Sequence, residues 1–164
     1  MKEATFNTEI INSLEEQGAF AYKIPDQPAS WNSGRMRFTP SKPCDTFVLF
    51  RGFGALIEGK QMKKFEAFGL RHLRPSQIVA MDRAVRTKNR AYIFLNVRCH
   101  QENRLIIFEW SKEFKTRLEK ASIKGKEIKS LNFVKGFKKR FDLSDFLEGL
   151  TGRDIVKNVS MDDF

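Results

Sequence analysis

The chain has 164 residues, of which 41% are hydrophobic and 30% charged, and it contains sixteen phenylalanines. This length and apolar content support one substantial buried core and argue against disorder through most of the chain. Thirty Lys and Arg against twenty Asp and Glu give a net charge of +10. That charge favours a polyanionic partner, nucleic acid first and an anionic membrane surface second, although a basic protein with dispersed lysines is the plainer alternative.

Two cysteines, Cys44 and Cys99, are too few for a disulfide framework or a zinc site. We expect both to be reduced and buried. No stretch reaches membrane-spanning length, and the N-terminus lacks the apolar segment of a secretion signal. The sequence therefore predicts a cytoplasmic protein that does not enter a membrane, folded as a single domain over residues 1–164.

The first predicted element is an amphipathic helix over residues 5–17. Its apolar residues recur at helical spacing and Gly18 is placed to end it. Glu9 lies beside the apolar stripe. It is the one glutamate of this helix that is a candidate for a site residue, with an ordinary surface charge as the alternative.

A short strand over residues 19–24 precedes a segment, 26–42, that is rich in Pro, Ser, Asn and Gly. We predict a loop or flexible hairpin there. It mixes basic with aromatic side chains, which can hold a DNA backbone and stack on or wedge between bases. An ordinary surface loop pinned by its aromatics is equally compatible with this composition. The predicted DNA contacts of this segment are Trp31, Arg35, Arg37, Phe38 and Lys42.

Residues 45–50 and 55–60 are predicted to form a β-hairpin joined by the glycine-containing turn 51–54. Even pairing about that turn places Asp45 opposite Lys60, and alternation puts both on one face of the sheet. The next paired positions on that face add a second carboxylate.

That second carboxylate is Glu58, which the predicted register sets opposite Phe47. Hard divalent cations such as Mg²⁺ take oxygen ligands and usually use one or two protein carboxylates. A lysine beside them can orient the attacking water or stabilise charge on a phosphoryl oxygen. The cluster therefore predicts metal-assisted hydrolysis of a phosphodiester, while a salt-bridged cross-strand pair on a solvated sheet face is the alternative.

The polar segment after the hairpin carries Lys63 and Lys64, which we add to the predicted DNA contacts. A helix is predicted from Pro75 to about Lys88. Gln77 then lies near the helix N-terminus. There its amide can bind a phosphate or a metal-bound water, or it is simply a surface residue.

Two dense apolar runs, 90–97 and 104–110, predict inner strands of the sheet. Ser111 is placed to cap a basic helix, where a basic C-terminal extension begins. The lysine-dense stretch 123–137 has only sparse apolar anchors, and we assign it no element. Ser144 is predicted to cap a last short helix.

The tail over residues 154–164 is predicted to be frayed.

The Asp45 and Glu58-Gly59-Lys60 spacing resembles the active-site motif of the PD-(D/E)xK nuclease superfamily. Further motifs follow in order over about residues 5–110, and together they resemble the RecU-type Holliday junction resolvases. The resemblance rests on a helix with Glu9, the strand end Tyr22–Pro25, Pro43-x-Asp45, Glu58-x-Lys60, Phe68-x-Leu70, Gln77 and strands ending near Trp110. The chain departs from that family by having Ser76-Gln77 in place of its His-Gln pair, and a short segment in place of its long stalk.

This resemblance implies an α/β fold with a restriction-endonuclease-like mixed β-sheet core flanked by helices. It also implies a homodimer that binds four-way DNA junctions and nicks opposed strands with Mg²⁺ or Mn²⁺. The implied metal ligands are Asp45, Glu58 and the Gly59 carbonyl. Lys60 is implied to position the water, with Glu9 and Gln77 at the rim of the site.

Two other functions remain open from the sequence. A restriction- or repair-type endonuclease acting on duplex DNA would use the same active site. In a non-catalytic basic DNA-binding module the two carboxylates would be merely structural. Fold alone does not separate these possibilities, because function belongs to the site.

Overall fold

A computed structural model of the chain describes residues 3–26, 31–32, 35–36, 42–100 and 102–152. One central sheet carries helices on both faces. The helices are α1 (Glu3–Glu16), α2 (Pro75–Arg86), α3 (Lys112–Lys120), α4 (Gly125–Ser130) and α5 (Ser144–Leu150), with a 3₁₀ turn over Leu70–His72. The strands are β1 (Phe20–Lys23), β2 (Trp31–Asn32), β3 (Arg35–Met36), β4 (Thr46–Phe50), β5 (Phe53–Met62), β6 (Arg90–Cys99), β7 (Glu102–Glu109), β8 (Val134–Phe137) and β9 (Arg140–Phe141).

The seven strands of the central sheet lie in the order β1-β4-β5-β6-β7-β8-β9, while β2 and β3 pair separately. Strands β5 and β6 run in parallel, with α2 in the connection between them, and the other neighbours are antiparallel. The predicted mixed α/β core flanked by helices is therefore confirmed. No helix among the described residues is long and apolar enough to cross a membrane.

Helix α1 covers one face of the sheet, as its periodicity predicts. Phe6, Ile10 and Leu14 are buried in an apolar cluster, and the helix packs mainly on β1, β5 and β9. The helix ends before Gly18, whose φ of +88° is the left-handed conformation that favours glycine at this position. Helices α2, α3 and α4 cover the opposite face, where a second apolar cluster surrounds Met81.

The site hairpin turns more tightly than predicted. Phe50 pairs with Phe53, so the turn is the two residues Arg51 and Gly52, with φ of 49° and 83°. Two positive φ values are typical of the type I′ turn, whose twist matches that of the flanking strands.

The tighter turn makes the predicted register wrong by two residues. Phe47 lies opposite Leu56, not opposite Glu58, and the continued register sets Asp45 beside Glu58 rather than beside Lys60. A shift of two positions preserves the faces of both strands, because side chains alternate with period two. Asp45, Glu58 and Lys60 therefore still share one face.

The C-terminal part of the chain extends the sheet. The lysine-dense stretch without a predicted element contains α4 and β8, and β8 pairs with the beginning of β7. Ser111 caps α3 as predicted, since its hydroxyl accepts from the Phe114 N–H at 3.0 Å. Ser144 is instead the first residue of α5, and Asp142 accepts hydrogen bonds from it. The tail predicted to be frayed lies outside the described residues.

Candidate active site

A polar cavity of about 230 Å³ opens where β4 begins and the second half of β5 passes. A water molecule occupies about 30 Å³ in the liquid, so the cavity has room for a phosphate group and several waters. Asp45, Glu58, Lys60 and Gln77, which the sequence predicted to lie together, all line it. The remaining lining residues are Asn7, Lys23, Asp26, Lys42 and Arg74.

Asp45 is buried and held by backbone on both sides. Its N–H donates to the Ile57 carbonyl at 3.2 Å, and its own carbonyl accepts from the Ile24 N–H at 2.8 Å. The side chain has two partners: Oδ2 accepts from the Gly59 N–H at 3.0 Å, and Oδ1 lies 2.9 Å from Lys42 Nζ. The carboxylate is thus oriented by the neighbouring strand.

Glu58 is 1% exposed, which for a carboxylate requires strong partners. Its Oε1 lies 2.7 Å from Lys60 Nζ and accepts from Gln77 Nε2 at 2.5 Å. The carbonyl end of Gln77 accepts from the Arg74 N–H at 2.8 Å, at the start of α2. One glutamine side chain therefore links the N-terminus of α2 to the buried glutamate.

The charges of the pocket are nearly balanced. Among the described residues, four cationic side chains and three carboxylates line it. Lys42 bridges two of those carboxylates, because its Nζ also lies 3.4 Å from Asp26. Burial alone would lower the pKa of Lys42, but Asp45 and Asp26 outweigh burial and raise that pKa above its ordinary value. Lys42 is accordingly a protonated counter-ion of Asp45 at neutral pH.

Glu9 is not among the residues that line the cavity. It is 3% exposed, and its two carboxylate oxygens accept from the guanidinium of Arg98, with Nη1 at 3.2 Å from Oε1. Arg98 also donates to Asn103, which in turn accepts from Asn96. The structure thus places Glu9 in a buried polar network, separate from the carboxylate pair.

Asn7 lines the cavity, although the sequence analysis did not select it. The residue is 6% exposed, and its side chain makes no hydrogen bond to any residue that the structure describes. It packs closely on Gly59, where an added Cβ would lie 2.0 Å from Asn7 Oδ1. The sequence signal that could have identified Asn7 is its position as a polar residue next to Phe6, which belongs to the buried stripe of the helix.

The predicted DNA contacts fall in three places. Lys42 is in the cavity, and Lys63 and Lys64 are exposed directly after β5. The backbones of Trp31 and Arg35 lie in the small β2–β3 ladder. The other two predicted contacts, Arg37 and Phe38, lie outside the described residues.

The donor set fits a magnesium-type ion. Asp45 and Glu58 line the same cavity, and Mg²⁺ commonly binds one or two carboxylates plus waters and substrate phosphate. In the described part of the chain there is no group of three or more His, Cys, Asp or Glu side chains that could hold a metal. The arrangement is therefore suited to an oxygen-ligated Mg²⁺ or Mn²⁺ that shares its shell with water and substrate.

No protein-family model and no curated protein matches this sequence. Among solved structures, the chain is similar to a Holliday junction resolvase, Hjc, from the archaeal hyperthermophile Archaeoglobus fulgidus. The similarity covers 63% of this chain and 72% of that chain, with 19% identity and a TM-score of 0.43. The specific resemblance to RecU-type enzymes stays a prediction.

Proposed function

We propose that the chain is a divalent-metal-dependent DNA endonuclease and that its preferred substrate is a four-way junction. The observation that carries this proposal is the meeting of two buried carboxylates and a lysine in one polar cavity, with Asp45 held to the peptide after Glu58. The four cationic side chains of the described lining and a net charge of +10 favour a phosphate-bearing polymer in that cavity.

In this proposal Asp45, Glu58 and the Gly59 carbonyl would hold Mg²⁺ or Mn²⁺. When bound, that ion would supply Lewis acidity toward the scissile phosphate and make the attacking water more acidic. Lys60, fixed at 2.7 Å from Glu58, orients the attacking water and stabilises negative charge on the phosphoryl oxygens. Gln77 acts as a positioning residue, because it holds the Glu58 carboxylate from the start of α2.

Cutting two opposed strands symmetrically needs two such sites, so the proposal includes a homodimer. We expect it to act in the cytoplasm. Specificity for a junction over a duplex must come from DNA shape and from side chains that enter the branch point, because phosphate contacts alone do not discriminate. The segment from Trp31 to Lys42 is the proposed reader of that geometry.

The deciding experiment is a cleavage assay on labelled four-way junction, linear duplex and single-stranded DNA of matched sequence. We expect paired nicks in the junction with Mg²⁺ or Mn²⁺, DNA binding without cutting in Ca²⁺, and no cutting in EDTA. The Asp45→Asn variant serves as the control for contaminating nucleases. Equal cutting of duplex would replace the junction preference with a restriction- or repair-type activity, and DNA binding without any metal-dependent cutting would overturn the nuclease assignment.

A further inference from the structure

The hairpin formed by β8 and β9 ends in two lysines at its tip. Phe137 pairs with Arg140, which leaves Lys138 and Lys139 as the two turn residues. Their φ values are 44° and 63°, so both adopt the left-handed conformation of a type I′ turn. Asn and Gly are the residues that this turn favours, because a Cβ in the left-handed region is unfavourable.

Backbone geometry thus does not account for lysine at either position. Residues in a sparsely populated backbone conformation carry an energetic cost, and such positions concentrate at functional sites. The site hairpin of the same chain uses glycine at the second position of the equivalent turn, Gly52. The tip of the β8–β9 hairpin instead carries two ammonium groups that both reach solvent.

An aromatic side chain accompanies the two lysines. Phe137 is 70% exposed, the highest value of any large apolar residue in the described part of the chain. Lys138 Nζ lies 5.3 Å from the centre of its ring, within the range of a cation–π contact. Lys135 is also exposed on the same strand. A planar ring among cationic groups is the combination that binds bases and phosphates together in single-stranded nucleic acid sites.

The base of the hairpin is fixed in place. An added Cβ on Gly136 would lie 2.1 Å from Asn103 Nδ2 and 2.9 Å from the ring of Phe141. Asn103 itself is held at 2.7 Å by Asn96 and at 3.2 Å by Arg98. The hairpin is therefore presented by a packed base and a partly buried polar network, which suits a defined contact surface.

The strand registers place this hairpin at the same end of the sheet as the candidate active site. Lys135 pairs with Arg104, Arg104 with Val97, and Val97 with Met62, four residues beyond Glu58 on β5. Three strand spacings and four residues of rise separate Glu58 from Lys135 by roughly 20 Å. That distance corresponds to roughly six base pairs of DNA.

Exposed lysines also lie between the two places. Lys63 and Lys64 are exposed where β5 ends. The guanidinium carbon of Arg104 lies 5.3 Å from the ring centre of Phe65 beside them. A cavity lined in part by Lys60 and Lys63 adjoins the active site on this side. Cationic groups thus continue from the active site toward the hairpin.

We propose that the β8–β9 hairpin is a second nucleic-acid contact, in which Lys138 and Lys139 bind phosphates and Phe137 stacks on an unpaired base. The DNA is the same molecule whose scissile phosphate lies at Asp45 and Glu58. This inference rests on the proposed nuclease function but assigns a role to a part of the chain that the active-site argument does not use.

The test is the double replacement Lys138→Asn with Lys139→Gly. It removes both charges and installs the sequence that a type I′ turn prefers, so the melting temperature should stay equal or rise. Affinity for duplex DNA in Ca²⁺ should fall by roughly fivefold per lysine at 0.15 M salt. The slope of log K against log salt should become shallower by about 1.8 for the double variant. Phe137→Ala should lower affinity for single-stranded DNA by roughly tenfold and leave duplex affinity unchanged.

A matched control comes from the chain itself. Lys88 is an exposed lysine with φ of 60°, close to the 63° of Lys139, but it lies just before β6, at the opposite end of the sheet. Lys139→Gly should make the salt slope shallower by about 0.9, whereas Lys88→Gly should leave it unchanged.

If Lys139→Gly and Lys88→Gly have equal salt slopes while the wild-type protein cleaves DNA, the hairpin contact is overturned and the nuclease proposal stands. A wild-type protein that binds no DNA would overturn both.

Discussion

The Gly59 backbone N–H donates a hydrogen bond to Asp45 Oδ2 at 3.0 Å, and this contact ties the Asp45 carboxylate to the residue that follows Glu58. Gly59 is the residue between Glu58 and Lys60, so the Asp45 side chain is tied to the peptide that carries the other two functional groups. Strand pairing therefore contributes to the relative positions of all three. A site whose ligands are already oriented loses less entropy when it binds a metal or a phosphate.

Asp45→Asn and Glu58→Gln should each lower the metal-dependent cleavage rate by at least roughly 100-fold. Each change removes a ligand charge while keeping side-chain volume, and an amide oxygen at position 45 can still accept from Gly59. Junction binding measured in EDTA should remain. Asp82→Asn is the control, because Asp82 accepts from Trp110 and Lys115 outside the cavity. Wild-type rates in either site variant would mean that the metal is held elsewhere.

Lys42→Met should tighten the binding of Ca²⁺ or Mg²⁺, by roughly tenfold, while weakening DNA binding. Lys42 is a protonated counter-ion 2.9 Å from Asp45, and a divalent cation must compete with it for that carboxylate. Without the lysine, the buried Asp45 charge is poorly compensated until a cation binds.

Two measurements check the Lys42 prediction. Calorimetric titration with Ca²⁺ gives the affinity directly, and the melting temperature should be lower than wild type in EDTA but gain more on adding Ca²⁺. Lys63→Met is the control, since this exposed lysine does not line the carboxylate cavity. Weaker Ca²⁺ binding by the Lys42 variant would show that this lysine supports the metal rather than opposing it.

Arg98→Met should destabilise the fold by about 3–5 kcal/mol, because it leaves the Glu9 carboxylate buried without its cation. Replacing both residues, with Glu9→Gln added, should recover much of that loss. The cleavage rate per folded molecule should change little, since Glu9 does not line the cavity. A large rate loss in Glu9→Gln at unchanged stability would restore the role at the rim that the sequence suggested.

Three elements could be predicted because each has a local signal. The β4–β5 hairpin has glycine at its turn, the first helix has a 3.6-residue apolar period, and α2 has Pro75 at its start. The register could not be predicted. It depends on whether Arg51 tolerates a positive φ, which no pattern around the turn encodes. The error left the faces unchanged, and so the grouping of Asp45, Glu58 and Lys60 survived it.

Other features depend on contacts between distant segments. Strand β8 has few apolar residues of its own, and it forms because Val134 and Lys135 pair with β7. Asn7 and Glu9 are two residues apart on α1, yet one lines the cavity and the other binds Arg98 of β6. Which residue of a helix reaches a site depends on how the helix docks, and helical periodicity gives only its apolar face.

Gly59 should not tolerate a side chain. An added Cβ would lie 2.0 Å from Asn7 Oδ1 and 3.1 Å from Asn7 Cγ, while the nearest atom of Phe6 would be 3.3 Å away. Gly59→Ala should therefore lower the free energy of unfolding by about 1–3 kcal/mol, the usual cost of overpacking a buried site. Gly54→Ala on the same strand is the control, because its nearest contact is the partly exposed side chain of Leu49 at 3.2 Å.

Adding Asn7→Ala to Gly59→Ala tests whether the lost stability comes from the clash with Asn7 or from a general intolerance of side chains at position 59. This second change removes both of the closest atoms, and only the Phe6 contact remains, which requires a shift of a few tenths of an ångström. The double variant should thus be more stable than Gly59→Ala alone, with a coupling free energy of about 1 kcal/mol or more in urea unfolding. Additive effects would mean that α1 moves away from β5 as a whole. Asn7 also lines the cavity. Titrating the wild type, Gly59→Ala, Asn7→Ala and the double variant with Ca²⁺ would therefore show whether the Asn7 amide contributes to metal binding independently of the packing at Gly59.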